Sequence, residues 1–199
     1  MLNKLLGKPT IYNMSQSAVT LGKDPIVKWL RKMVSPGRED LVLDVGCGTG
    51  KYSEVFQCNY FGIDCSPEYI DYARKYHKGN FSVMDASCLE FPDKMFNYIM
   101  IVGVLHHLPD NKVAGIISEI KRVCKQGGRI IIMEPVYPTS KFNIVGYLLR
   151  RLDRGKYIRK PEQLAGMFSS FSSSEHTIEK YFLEKYFPLE LILLSATNQ

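Results

Sequence analysis

From Leu41 onward, short apolar runs alternate with stretches carrying apolar residues at helical spacing. Leu41-Val42-Leu43-Asp44-Val45 predicts a buried strand, from its β-branched content and the glycines that end it. Tyr60 to Asp64 predicts a second strand, Phe81 to Asp85 a third and Tyr98 to Val102 a fourth. Between the second and third, Ser66 fits an N-cap, Pro67 the first helical position and Glu68 the first turn of a helix ending near Tyr76. After Asp110, residues Val113, Ile116, Ile117, Ile120 and Val123 recur at helical spacing, and Gly127-Gly128 is the expected stop. Arg129 to Glu134, nearly all isoleucine, predicts a fifth strand. Strands that interleave with helices and are apolar on both faces imply a doubly wound, mostly parallel α/β sheet with helices on either side.

The ends read differently. Pro25 to Val34 predicts a helix anchored by Trp29, while Phe142 to Leu152 and Pro161 to Phe168 predict two more. Ser169 to Ser174 reads as a serine-rich connection, and Thr177 to Phe182 and Leu189 to Leu194 as two closing strands. No repeat or long linker divides the 199 residues, so one domain is expected. Within it, 1–37 would form an N-terminal cap, 38–135 the cofactor-binding core, 136–174 an acceptor-side helical insertion and 175–199 the closing strands.

Composition changes this picture little: 45% hydrophobic and 23% charged residues suit a globular chain. Met1 to Ser17 lacks a signal-peptide core, and no later run reaches the ~20 apolar residues of a membrane span. Five scattered cysteines with no C-x-x-C pair argue against a disulfide framework or a metal site, and for a reducing, cytoplasmic setting. The formal charge of +6 is uneven. Between Lys121 and Lys160 a dense series of lysines and arginines is opposed only by Glu134 and Asp153. Such a face could meet phosphate, anionic lipid, nucleic acid or an acidic glycan, or be solvated surface.

The chemistry concentrates at strand ends. Gly46-Cys47-Gly48-Thr49-Gly50 follows the first strand and is expected to precede a helix, at the switch point where such sheets bind ligands. Its third glycine comes one residue earlier than in a dinucleotide fingerprint. Asp44 precedes the loop, where a carboxylate disfavours a pyrophosphate and suits a ligand with sulfonium and ammonium groups. Asp64 could accept hydrogen bonds from ribose hydroxyls and Asp85 one from an adenine amino group. The three carboxylates fit a cationic, adenosine-bearing cofactor, although each could also be an ordinary turn residue.

Leu43 to Gly50 resembles the first motif of the class I S-adenosylmethionine-dependent methyltransferases. Gly62-Ile63-Asp64-Cys65-Ser66 is similar to their acidic second-strand motif, and Met84-Asp85-Ala86 with Leu89 to Asp93 to their adenine-contacting segment. Phe96 to Leu108, ending in His106-His107-Leu108, resembles the fourth-strand motif of the small-molecule branch. The resemblance covers about residues 38 to 135 and implies a seven-stranded sheet whose last strand is antiparallel. It implies that Gly46, Cys47 and Gly48 line the methionine portion beside Asp44, that Asp64 holds the ribose, and that Cys65 packs on adenine. Asp85 and the Ala86 backbone would reach the adenine edge, and the Val102-Gly103 backbone would face the amino group. Apart from the resemblance, Tyr12 could belong to an N-terminal lid over the cofactor or be an anchoring core tyrosine.

A hydroxyl acceptor would need a general base, for which His106 and above all His107 are candidates, although the family also carries histidine here without a catalytic duty. Arg154 and Arg159 could grip an anionic acceptor, or cap helices and pair with Asp153 and Glu162. The acceptor expected is a small molecule, lipid or glycan. A nucleic-acid methyltransferase suits the charge, but Val102 to Leu105 stands where an (Asp/Asn)-Pro-Pro-(Tyr/Phe) motif would be. A nicotinamide enzyme is disfavoured by the glycine spacing, and a non-catalytic cofactor-binding partner is the remaining alternative.

Overall fold

A computed structural model of the protein describes residues 25–153, 155–171, 173–181 and 189–199. Seven strands form one sheet: β1 (Leu41–Val45), β2 (Asn59–Asp64), β3 (Asn80–Val83), β4 (Phe96–Val102), β5 (Cys124–Val136), β6 (Ser173–Tyr181) and β7 (Leu189–Thr197). Among the described residues the helices are α1 (Pro25–Met33), α2 (Pro67–Tyr76), α3 (Asp110–Val123), α4 (Ile144–Arg151) and α5 (Pro161–Met167), with a 3₁₀ turn at Leu105–His107. The strand order is β3-β2-β1-β4-β5-β7-β6. β1 to β5 run parallel, and β7 is antiparallel to both β5 and β6. The order reverses between β1 and β4, so the loops leaving these two strands flank the switch-point crevice.

Alternation along the strands builds two cores. Leu43 and Val45, with Ile63, Ile99, Ile101, Ile130 and Ile132, pack under α3 and Leu164 of α5. Val42, with Tyr60, Met100, Ile131 and Met133, packs under Trp29 and Leu30 of α1 and Ile70 and Ala73 of α2. The sheet is therefore apolar on both faces, as continuous apolar strands require. Ser66 caps α2 by accepting from the Tyr69 N–H at 3.3 Å.

Three local expectations are corrected. No helix follows the glycine loop: residues 51–57 form turns. The Ser53 and Val55 N–H groups donate to carbonyls three residues back, and Tyr52, Val55 and Phe56 rest on the second core. Gly127 and Gly128 do not end α3, which gives way to β5 at Cys124. They lie in an irregular stretch where Phe96 pairs with Cys124 but Tyr98 with Arg129, joined to Asn198 by backbone hydrogen bonds. β3 ends at Val83, because its pairing with β2 ends where Val83 meets Asp64. Asp85 therefore lies beyond the strand and exposed.

Candidate functional site

The carboxyl ends of β1 and β2 bring two acids together. Asp44 is 1% exposed and faces the second core. Its cross-strand partner is Gly62, which has no side chain. The Tyr60 ring, two residues earlier, therefore reaches along the strand, and its hydroxyl donates to Asp44 Oδ2 at 2.5 Å. Asp64 receives the Gly48 N–H at 3.0 Å on Oδ2 and the Ser66 N–H at 2.9 Å on Oδ1. The glycine loop is tied back by N–H groups of Gly46 and Cys47, both donating to the Ile63 carbonyl.

Burial pushes the Asp44 carboxyl up to about 7, against the opposing effect of the Tyr60 hydrogen bond, and the neighbouring Asp64 charge pushes the same way. Burial also raises Asp64, partly offset by the Ser66 and Gly48 N–H groups and by hydrogen bonds from Cys65. The charged group acting on Asp44 is thus another carboxylate and not a cation. Burial likewise raises the Cys47 thiol, with Asp44 and Asp64 adding to it, so this cysteine is an inert lining group.

Gly46 has φ +74°, and a Cβ there would lie 2.5 Å from Val104 Cγ2. This position needs glycine for both conformation and space. Across the crevice, Gly103 follows β4 with φ +68°, and an added Cβ would find its nearest neighbour 3.8 Å away, at His106 Cε1. That is an ordinary van der Waals distance, so this position needs glycine for its left-handed conformation and not for space.

On the other side of the sheet, Glu134 of β5 is 1% exposed. Its Oε1 accepts the Val104 and Leu105 N–H groups at 2.6 and 2.8 Å, and its Oε2 the His106 N–H at 3.3 Å. His106 Nδ1 lies 2.8 Å from Oε2. One carboxylate thereby satisfies the amino end of the 3₁₀ turn and fixes the loop that carries Gly103. His106 is buried, whereas His107 is exposed, with its ring centroid 4.0 Å from that of His106.

Arg159 clamps the same turn from outside. Nη1 donates to the Leu105 and Tyr157 carbonyls, Nη2 to the Leu108 carbonyl and Asp110 Oδ1, and Nε to Asp110 Oδ1. Those bonds engage all five guanidinium donors. In this arrangement Arg159 is a latch, with no donor left for the anionic acceptor expected from the sequence. Asp85 accepts the Ser87 N–H and hydroxyl at 2.8 and 2.7 Å, which hold its carboxyl below the usual range. Ala86 follows half-buried, Val102 and Gly103 are half-buried, and Cys65 is exposed. Arg122 fastens this loop to α3 through the Leu89 and Phe91 carbonyls, Asp93 and Glu119. Tyr12 and Arg154 lie outside the described residues.

Sequence reasoning missed Tyr60 and Glu134. A tyrosine at the start of β2 looks like core, and Glu134 is marked only as the lone acid near the end of an isoleucine strand. Among the described residues no group of three or more His, Cys, Asp or Glu side chains could hold a metal ion.

This is the class I, Rossmann-like methyltransferase fold. Residues 43–132 match the family described as the methyltransferase domain. The chain is 35% identical over 101 residues to 2-methyl-6-phytyl-1,4-hydroquinone methyltransferase of Synechocystis sp., covering 47% of this chain and 31% of that protein. It is 32% identical over 136 residues to the probable tRNA methyltransferase 9B of Homo sapiens, covering 64% and 29%. The chain thus spans about a third of the length of either relative. A solved S-adenosylmethionine-dependent methyltransferase from Archaeoglobus fulgidus shares the fold, with a TM-score of 0.74 at 19% identity over 94% of this chain and 99% of that one.

Proposed function

We propose that the protein is an S-adenosylmethionine-dependent methyltransferase acting on a small-molecule, lipid or glycan-type acceptor. The observation that carries this reading is the carboxylate pair of buried Asp44 and half-buried Asp64, both pushed up by burial and eased, among the described residues, by hydrogen-bond donors. Such a pair favours a ligand that brings positive charge. When bound, the cofactor supplies an electrophilic methyl group on a sulfonium centre.

The chain's residues then have distinct tasks. Asp44 faces the cationic methionine end, and the Gly46-Cys47-Gly48 backbone lines it. Asp64, whose oxygens accept the Gly48 and Ser66 N–H groups, faces the ribose hydroxyls. Asp85 and the Ala86 backbone meet the adenine edge, Cys65 packs against the ring, and the Val102-Gly103 backbone faces the amino group. Tyr12 serves as part of a lid. Glu134, His106 and Arg159 act through the loop they hold, by positioning. His107, exposed beside that loop, is the base for a hydroxyl acceptor; an amine acceptor needs none. Arg154 is retained as the anion contact of the acceptor side.

The quinol relative supports a lipid-like acceptor. A nucleic-acid acceptor is the second reading, favoured by the basic 121–160 stretch and the tRNA methyltransferase relative. A reducing, cytoplasmic setting belongs to the same proposal, since all five cysteines are free. The test is transfer of a labelled methyl group to a panel of prenylated quinols, anionic sugars, lipids and RNA. Label in an organic-soluble product supports the first reading and label in RNA the second. No transfer to any member, from protein that binds the cofactor, would favour a non-catalytic partner.

A further inference from the structure

Helix α4 packs with its polarity inverted. Its buried residues are Gly146 and Arg150, one turn apart. Arg150 is held inside by donating to the Val136 and Glu190 carbonyls, with Nη1 3.6 Å from Asp153. On the opposite side Ile144, Val145, Leu148 and, just past the helix, Leu152 fall within an arc of roughly 100°. Ile144 and Leu152 are each 74% exposed, Leu148 58%, and Phe142, just before the helix, 82%. A helix that covers a sheet normally turns such a stripe inward. Single apolar residues on a surface are ordinary, but a contiguous stripe marks an interaction site. Lys141 and Arg151 flank it along the chain and are exposed, as are Lys156 and Lys160 in the segment that follows α4. α4 follows the carboxyl end of β5, the end of the sheet that holds the crevice. Exposed Tyr157 joins the two regions, its N–H donating to the His106 carbonyl.

We propose that this stripe docks on an anionic lipid bilayer. The apolar side chains enter the boundary between headgroups and acyl chains, while the basic rim meets lipid phosphate. Charge complementarity selects this occupant. A second copy meeting the same patch about a two-fold axis would set Lys141 and Arg151 against basic groups of its own kind. A nucleic acid would satisfy the rim and leave the stripe in water. The contact is interfacial, since no described helix is long and apolar enough to cross a membrane. The inference rests on the surface alone and stands apart from the methyl-transfer reading.

The experiment is co-sedimentation of the full chain with phosphatidylcholine vesicles, with and without phosphatidylglycerol, in low and high salt and without cofactor. Binding is expected only to the phosphatidylglycerol vesicles, falling with salt. Leu148→Glu with Leu152→Glu should lower partitioning at least about tenfold. Lys141→Gln and Arg151→Gln should lower it about fivefold each. Circular dichroism and S-adenosylhomocysteine binding, both unchanged, verify that the variants are folded. Equal partitioning into both vesicles, or wild-type binding by the Leu148→Glu/Leu152→Glu variant, overturns the proposal. So does a wild-type dimer that the same variant splits, with no vesicle binding, or binding to RNA in place of vesicles.

Discussion

The Tyr60 hydroxyl donates to Asp44 Oδ2 at 2.5 Å, and both groups are almost wholly removed from solvent. Among the described residues that bond is the side-chain donor opposing burial at Asp44, so it favours the carboxylate form that a cationic ligand requires. Tyr60→Phe removes the donor and leaves the ring in place. The Asp44 carboxyl should then rise above about 7, and S-adenosylhomocysteine binding at neutral pH should weaken by about 1–2 kcal/mol. Calorimetry across pH distinguishes this from simple loosening: the midpoint of the affinity profile moves upward.

Asp44 also sets a pH dependence of stability. Its folded-state pKa of about 7 lies above the ordinary 3.8. Between these values the folded state keeps a proton that the unfolded state has lost. Stability of the ligand-free protein therefore falls as pH rises through that window and levels off above about 7. Binding of an ammonium-bearing ligand works in the opposite sense, releasing the proton, so affinity should rise up to about tenfold per pH unit and then plateau. Asp44→Asn should flatten both trends, leaving the part that Asp64 contributes, and raise stability in mildly alkaline buffer by about 1–3 kcal/mol while weakening binding. Thermal melts and calorimetry on the same samples read the two effects.

Gly46→Ala sets a Cβ 2.5 Å from Val104 Cγ2 at φ +74°. A loss of about 2–3 kcal/mol is expected in urea unfolding. Adding Val104→Ala should relieve the overlap and leave about 1 kcal/mol of backbone strain. A double variant no better than the single one would mean that the overlap is not the cause.

Arg159→Ala strands the Leu105 and Leu108 carbonyls that the guanidinium satisfies. A cost of about 2–4 kcal/mol follows, and Arg159→Lys should recover only part, since an ammonium cannot reproduce the planar fork. Glu134→Gln is the companion test. It sets an amide NH₂ against backbone N–H groups that now meet an acceptor, so stability and cofactor affinity should fall together.

The strands, the Ser66 cap and the glycine loop were legible because each is written in a few adjacent residues. The same locality explains the errors. Gly127-Gly128 carries the signature of a helix stop, and only pairing with β4 and Asn198 reveals an irregular strand. Asp85 reads as a strand end until the edge position of β3 shortens the ladder. Tyr60–Asp44, Glu134–His106 and Arg159–Asp110 join residues 16, 28 and 49 apart in sequence. Nothing in a local pattern announces them, so the groups that hold the site had to come from the folded chain.

The most direct test of the central claim is calorimetric titration of the protein with S-adenosylmethionine and S-adenosylhomocysteine, beside the Asp64→Ala variant and with NAD as control ligand. Micromolar binding of both sulfur compounds is expected, weakened more than about tenfold, or ~1.4 kcal/mol, by Asp64→Ala, with no binding of NAD. Absence of binding by either sulfur compound, or binding of NAD in their place, would contradict that claim.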